Sequence, residues 1–245
     1  MKIGAIIEAR MSSARLPGKV LFKAKNKTML ELIINRIKLV KKINKAIIAT
    51  TTNLNDDKIV KWCKSKKISF YRGSEENVLN RVYLAAKKNK LDIVVLITGD
   101  CPLVDHGIIS QVLSTYLNNK ADYVSNSHFR TYPDGMDVQV FSFKSLKKSH
   151  GLAKSNLEKE HVTLNMRRNP KIFKPIYLMA PENLHLPDLG LTLDEPKDFI
   201  LIKKIIKYFH TRNNNNFTCE EIVNFLKKNP KLLQINSSVK RKGDN

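Results

Sequence analysis

The chain has 245 residues, 42% of them hydrophobic, and carries 44 Lys and Arg against 22 Asp and Glu, a formal net charge of +22. This length can bury a sizeable core as one large domain, or one domain with an arm, and the apolar content excludes an intrinsically disordered chain. No apolar run approaches the length of a membrane span, and the opening MKIGAIIEAR turns polar too soon for a secretory segment.

Three scattered cysteines without CxxC spacing argue against a zinc site or a disulfide frame and for a reducing compartment, the cytoplasm. The net charge raises nucleic acid as a partner. The lysines, however, are spread along helical segments such as KLVKKINK and LIKKIIK, and no zinc-finger spacing or RNP-type aromatic segment accompanies them. Nucleic acid is therefore not the expected partner, whereas small polyanionic substrates are favoured by the field.

In chain order, KIGAII (2–7), KAIIAT (45–50), ISFYR (68–72) and DIVVLIT (92–98) are short runs rich in Ile and Val, as buried strands are. Between them, 28–42, 55–67 and 74–89 space their apolar residues by three and four, the last two opening on N-cap candidates Asn55 and Ser74. Such alternation predicts an α/β fold with right-handed crossovers and a mainly parallel sheet flanked by helices. After residue 125 the rhythm changes. A turn-rich loop, an alternating strand at Val138–Phe143, a helical piece holding NLEKEHVTLNMRR and a strand in FKPIYLM make residues 126–185 an inserted α+β arm. LGLTLDEPKDFILIKKIIKYF (189–209) restores strand then helix and completes a main domain of 1–212. Over 213–245 follow a polar linker, a capped helix in TCEEIVNFLKK and a tail, SSVKRKGDN, expected to be disordered.

In a parallel α/β sheet, ligands bind beyond the carboxyl ends of the strands. The loop EARMSSARLPGK leaves the first strand at that edge, with Arg10, Arg15 and Lys19 separated by small residues that let backbone amides approach a ligand. Guanidinium forks and a lysine point charge suit a triphosphate, although neither GxxxxGK[ST] nor GxGxxG is present, and a solvated basic turn would have the same composition. Asp100 ends the fourth strand in TGDCPLVD, and Asp194 ends a later one in LTLDEP. Two carboxylates on separate strands can share a magnesium ion whose remaining ligands come from substrate; alternatively Asp194 caps a helix and Asp100 sits in an ordinary turn. With the basic loop, the pattern fits nucleotidyl transfer, which depends on positioning and charge neutralisation rather than on a protein nucleophile. GxSxG is absent, and Cys101 has no sequence-local His partner.

ARMSSARLPGKVL, GSEENVLNR, TGDCPLVD, SNSHFRTYPDGMDVQVF, EKEHVT and LTLDEPKDF occur in this order over about residues 1–205. Together they resemble the cytidylyltransferases related to spore-coat polysaccharide biosynthesis protein F, relatives of the CMP-Kdo and CMP-sialic acid synthetases. The resemblance implies a Rossmann-like nucleotide-diphospho-sugar transferase fold and Mg2+-dependent transfer of CMP from CTP to a small acidic acceptor such as a sugar acid. A phosphonate or phosphate acceptor, or a nucleotide-sugar-dependent glycosyltransferase on the same fold, are the alternatives. Carried over by motif, Arg10, Arg15 and Lys19 would hold the triphosphate, with Arg15, Lys19 and Asp100 acting in catalysis. Asp100 and Asp194 would ligate magnesium. The backbone of Ile7, Glu8 and Ala9 would face the cytosine, with Arg72, Ser74 and Thr98 near the nucleotide. Arg81 would face the same pocket or be a surface charge on its helix. Thr98 stands where CMP-Kdo synthetases usually have glutamine, and Cys101 reads as packing. On the acceptor side, Asn126, Arg130, Tyr132, Asp134 and Asp137 surround a Pro-Asp-Gly turn, and His161 falls where relatives place a histidine near the sugar. Relatives also use the arm in a homodimer, so a homodimer is the expected state.

Overall fold

The structure, a computed structural model, describes residues 1–241. Strand β1 (Ile3–Glu8) leads through the basic loop and a small hairpin, β2 (Lys23–Ala24) and β3 (Lys27–Thr28), into α1 (Met29–Lys38). The pattern continues as β4 (Lys45–Thr51), α2 (Asp57–Ser65), β5 (Ser69–Gly73), α3 (Val78–Lys88), β6 (Ile93–Thr98) and α4 (His106–Asn118). Strands β7 (Tyr123–Ser125) and β8 (Gln139–Ser142) flank a long loop, and α5 (Phe143–Leu152), α6 (Asn156–Glu160) and α7 (Leu164–Arg168) precede β9 (Pro175–Tyr177). Helices α8 (Pro196–His210), α9 (Cys219–Lys227) and α10 (Pro230–Leu233) follow.

Seven strands form one sheet in the order β5-β4-β1-β6-β8-β7-β9. β5, β4, β1 and β6 are mutually parallel, β8 runs antiparallel to β6 and β7, and β9 is parallel to β7. Both faces are covered. In β1, Ile3, Ala5 and Ile7 join the core on one face while Ile6 joins the core on the other, which is why the strand reads as an unbroken apolar run. The four parallel strands expected from sequence are present within a residue or two. Their carboxyl ends, where the basic loop and Asp100 begin, make one edge of the sheet.

Several local expectations differ from what is observed. A 3-10 turn at Leu54–Asp56 precedes α2, and Asn53 rather than Asn55 supplies the accepting side chain, to the Asn55 N–H at 3.0 Å. Helix α3 begins at Val78 under Asn77, whose Oδ1 accepts from the Asn80 N–H; Ser74 instead accepts from the Asn77 N–H in the preceding turn. Phe143 opens α5 behind an N-capping Ser142 instead of ending a strand. Residues 189–193 make no sheet strand: β8 already occupies the ladder beside β6, leaving Gly190 a single isolated bridge to Asp134.

The C-terminal region is integrated with the body. Cys219, Ile222, Val223 and Leu226 of α9 belong to the larger core, Phe217 stacks on Phe209 at 4.2 Å, and Arg36 donates to the Phe217 carbonyl. The tail expected to be disordered from 237 is docked as far as Arg241, with Val239 buried; its last residues, 242–245, lie outside the described part. Among the described residues no helix is long and apolar enough to cross a membrane.

Candidate active site

The tips of β1 and β6 lie side by side, with Glu8 paired to Thr98 in register. The basic loop leaves β1 there and closes on itself through the Gly18 N–H, which donates to the Met11 carbonyl at 2.9 Å. Gly18 has φ +74°, the left-handed region where a side chain is strained. Two acids pin the loop from outside. Buried Asp56 accepts from the Met11 N–H at 2.7 Å, from the Thr51 N–H at 3.0 Å and from the hydroxyls of Thr50 and Thr51. Glu75 accepts from the Ser12 hydroxyl, from Arg10 Nη1 at 3.4 Å and from Asn53 Nδ2 at 3.2 Å.

These anchors aim Lys19 and Arg15 at the two aspartates. Lys19 is 8% exposed, and its Nζ donates to Asp100 Oδ2 and to Asp194 Oδ1, each at 2.9 Å. Arg15 Nη2 lies 3.0 Å from Asp194 Oδ2, and Nη1 3.8 Å from Glu195 Oε1. Burial works against the charged Lys19 ammonium, but Asp100 and Asp194 overcome that and raise its pKa. Burial likewise works against an ionised Asp100, and Lys19 with the Thr98 hydroxyl holds its carboxyl below the usual range. The result is a partly buried charged cluster in which Lys19 bridges Asp100 and Asp194 and Arg15 takes the second oxygen of Asp194. Among the described residues no group of three or more His, Cys, Asp or Glu is placed to hold a metal. Two oxygen donors are the partial set that magnesium takes when phosphate oxygens and water supply the rest.

Beside this cluster is a cleft of about 180 Å³. Glu8 and Thr98 line its wall toward the strand tips, and the expected acceptor residues Asn126, Arg130, Tyr132, Asp134, Asp137 and His161 all line it. Their side chains differ in what they have left to offer. Asn126 is buried and clamps its own loop, Nδ2 donating to the Met136 carbonyl and Oδ1 accepting from the Val138 N–H, both at 2.8 Å. Tyr132 is buried with its hydroxyl 3.4 Å from Gln111 Oε1 on α4. Arg130 is partly exposed and pairs with Asp134 at 3.3 Å. Gln139, Glu160, Thr163 and Arg167 complete the polar lining.

The remaining expected nucleotide residues are less concentrated. Ile7 is inside the sheet, paired with Ile48 and Ile97, so its backbone serves the two ladders instead of facing a base. The Ala9 N–H donates to the Ala49 carbonyl. Arg72 commits its guanidinium to the Thr51 and Asn53 carbonyls and to Asp57, stapling β5 to the end of β4. Arg81 is neither a surface charge nor turned to the cluster. It is 2% exposed and donates through Nη1 to the Ser74 and Glu75 carbonyls, which fixes the turn carrying Ser74. Burial pushes the Glu8 carboxyl up to about 7, against the pull of Arg81. The thiol of Cys101 is buried and held well above its usual range by burial and by Asp100, which leaves it a packing group.

Four residues that brace the cluster escaped the sequence reading: Asp56 and Glu75, which anchor the loop, and Asp198 and Arg241, which fix the turn after Asp194. Asp198 Oδ2 accepts from the Asp194 N–H at 3.0 Å and the Glu195 N–H at 2.9 Å. The spacing from Glu195 to Asp198 at a helix start was the available signal for that residue. Arg241 had none.

A family model for cytidylyltransferases matches residues 4–235. The chain is 30% identical over 230 residues to the spore coat polysaccharide biosynthesis protein SpsF of Bacillus subtilis, covering 92% of this chain and 94% of that protein. It is 40% identical over 242 residues to an uncharacterised protein of Methanocaldococcus jannaschii, covering 99% and 97% of the two chains. The solved structure of a cytidylyltransferase from Leptospira borgpetersenii superposes with a TM-score of 0.89 at 31% identity, over 96% of this chain and 97% of that one. The loop carrying Arg15 and Lys19, both aspartates and the neighbouring cleft all fall within the matched span, and the chain belongs to the cytidylyltransferase family of nucleotidyl-transferring enzymes.

Proposed function

We propose that the enzyme transfers CMP from CTP to a small acidic acceptor, releasing pyrophosphate, in the synthesis of a surface glycan. The observation that carries this reading is Lys19 held between Asp100 and Asp194 with Arg15 on the second oxygen of Asp194. A cation already bridges the two carboxylates. Asp100 and Asp194 would hold Mg2+ there, and the ion when bound supplies charge screening at the α-phosphate and acidifies an acceptor hydroxyl.

The chain's own groups account for the rest. Lys19 and Arg15 would turn from the carboxylates to the triphosphate and stabilise the departing pyrophosphate, from a partly buried site that already holds both cations. The polar cleft would orient the acceptor. Arg130, partly exposed and paired with Asp134, would pair the acceptor's acidic group. The role in surface glycan synthesis draws on the relative from Bacillus subtilis, whose name places it in spore coat polysaccharide biosynthesis.

The test is a pyrophosphate-release screen of CTP, UTP, ATP and GTP with Mg2+ against keto-sugar acids, phosphonates and phosphosugars. Release with CTP and a sugar acid is expected. Release with CTP only when a phosphonate or phosphosugar is supplied would replace the acceptor class, and release with none of the acceptors would overturn the reading.

A further inference from the structure

The segment after α10 reaches back over the turn that carries Asp194. Asn236, 5% exposed, donates through Nδ2 to the Gly190 carbonyl at 2.9 Å and to Asp198 Oδ1 at 2.8 Å. Lys197 Nζ donates to the Ser238 hydroxyl, and Arg15 Nη1 donates to the Lys240 carbonyl at 3.2 Å. Arg241 then enters the body. Its Nη2 lies 2.7 Å from Asp198 Oδ1 and its Nη1 3.2 Å from Asp198 Oδ2, a two-pronged pair with a carboxylate that has no exposed surface. Its Nε lies 3.7 Å from Asp134 Oδ2, in the loop lining the cleft. The guanidinium lies against Gly190, where an added Cβ would overlap it.

We propose that Arg241 is a positioning residue, coupling the acceptor loop through Asp134 to the turn bearing Asp194 through Asp198, so that the C-terminal segment completes the active site. The inference rests on the cytidylyltransferase reading of Asp194. The family model ends at residue 235, six residues before this contact. Asp198 is the hinge of the argument. Its Oδ2 accepts from the Asp194 and Glu195 amides and from Arg241 Nη1, and its Oδ1 accepts from Arg241 Nη2 and Asn236 Nδ2. Removing Arg241 would leave a buried carboxylate short of its cation, and a buried charge that loses its partner reorganises. Because Arg241 and the Asp194 amide share Asp198 Oδ2, that reorganisation loosens the Asp194 amide. The same removal frees Asp134, leaving Arg130 as its remaining charged partner in the cleft. A two-pronged pair plus a second carboxylate also explains why arginine fits here and lysine fits less well.

The experiment uses the full chain with R241A, R241K and G190A. G190A displaces the guanidinium without removing its charge. Hydrogen exchange of the unliganded proteins is expected to show the segments 131–137 and 189–199 losing protection together in R241A and G190A, with β1 and β6 unchanged. In the screen's active pair, R241A and G190A are expected to lose about tenfold or more in kcat with KM for CTP within about threefold, and R241K to recover part of the loss. Protection unchanged in both segments, or kcat unchanged in R241A, would overturn the proposal. So would a loss shared equally by kcat, CTP binding and global protection, which marks a residue that only holds the fold. Failure of the cytidylyltransferase reading shows differently: the parent would not bind CTP with Mg2+, while the paired loss of protection would persist.

Discussion

The charged cluster and the polar cleft beside it share the edge of one sheet but are built in opposite ways. In the cluster, charged groups face one another: Lys19 has two carboxylates, Arg15 a third contact, and each charge is balanced by another that a substrate or metal can exchange. In the cleft, much of the lining is already committed to the protein, Asn126 to its loop and Tyr132 to α4. The contrast teaches that exchangeable ion pairs mark where a charged ligand will be held, whereas lining a cleft does not by itself make a residue a ligand. Under the proposed function, specificity in the cleft would rest on few groups, Arg130 foremost.

Substitutions can break that contrast, and the cluster should give the largest effect. Lys19→Ala, Asp100→Asn and Asp194→Asn should each lower kcat by about 10²-fold or more, the scale of losing one preorganised electrostatic contact, with circular dichroism unchanged. Near-normal turnover in any of them would remove that residue from the cluster's function. Next comes the loop's anchor. Asp56→Ala should cost about 3 kcal/mol in urea unfolding, because the Met11 and Thr51 amides and two hydroxyls lose one buried acceptor. It should also raise KM for CTP.

In the cleft, Arg130→Ala should raise the acceptor's KM about tenfold and leave KM for CTP within about twofold, the loss expected for one partly exposed charge-assisted contact. A matching rise for CTP would merge the two regions. For Glu8, between them, the effect is read in the pH profile of stability rather than in turnover. Burial raises its carboxyl from an ordinary 4.5 to about 7, so between those values the folded protein keeps a proton that the unfolded chain has lost. The stability this contributes is full below about 4.5 and is lost as pH rises through about 7. Thermal melts of Glu8→Gln should therefore decline less than the parent's over that interval; parallel pH profiles would contradict the burial argument.

The parallel half of the fold was legible because its strands are buried on both faces and its helices are amphipathic, signals that lie within ten or fifteen residues. Three members of the cluster were legible for a related reason: Arg15, Lys19 and Asp100 follow the ends of β1 and β6, where topology brings them together. Asp194, in contrast, reaches them from the turn before α8 and not from a strand end. What remained hidden depends on contacts between distant segments. Residues 189–193 have a strand's composition, yet β8 fills the ladder they would need. Arg72 and Arg81 look like ligand-binding arginines until their guanidiniums are seen on backbone carbonyls. Arg241 sits in a lysine-rich tail with the composition of disorder, and only the buried Asp198 across the fold gives it a place.

The most direct test is ³¹P relaxation of bound CTP with Mn2+ in place of Mg2+, compared between the parent and the two aspartate variants. One shared ion predicts strong paramagnetic broadening of the phosphates in the parent and its loss in both Asp100→Asn and Asp194→Asn. Parent-like broadening in either variant would contradict convergence of the two carboxylates on one metal-bound triphosphate.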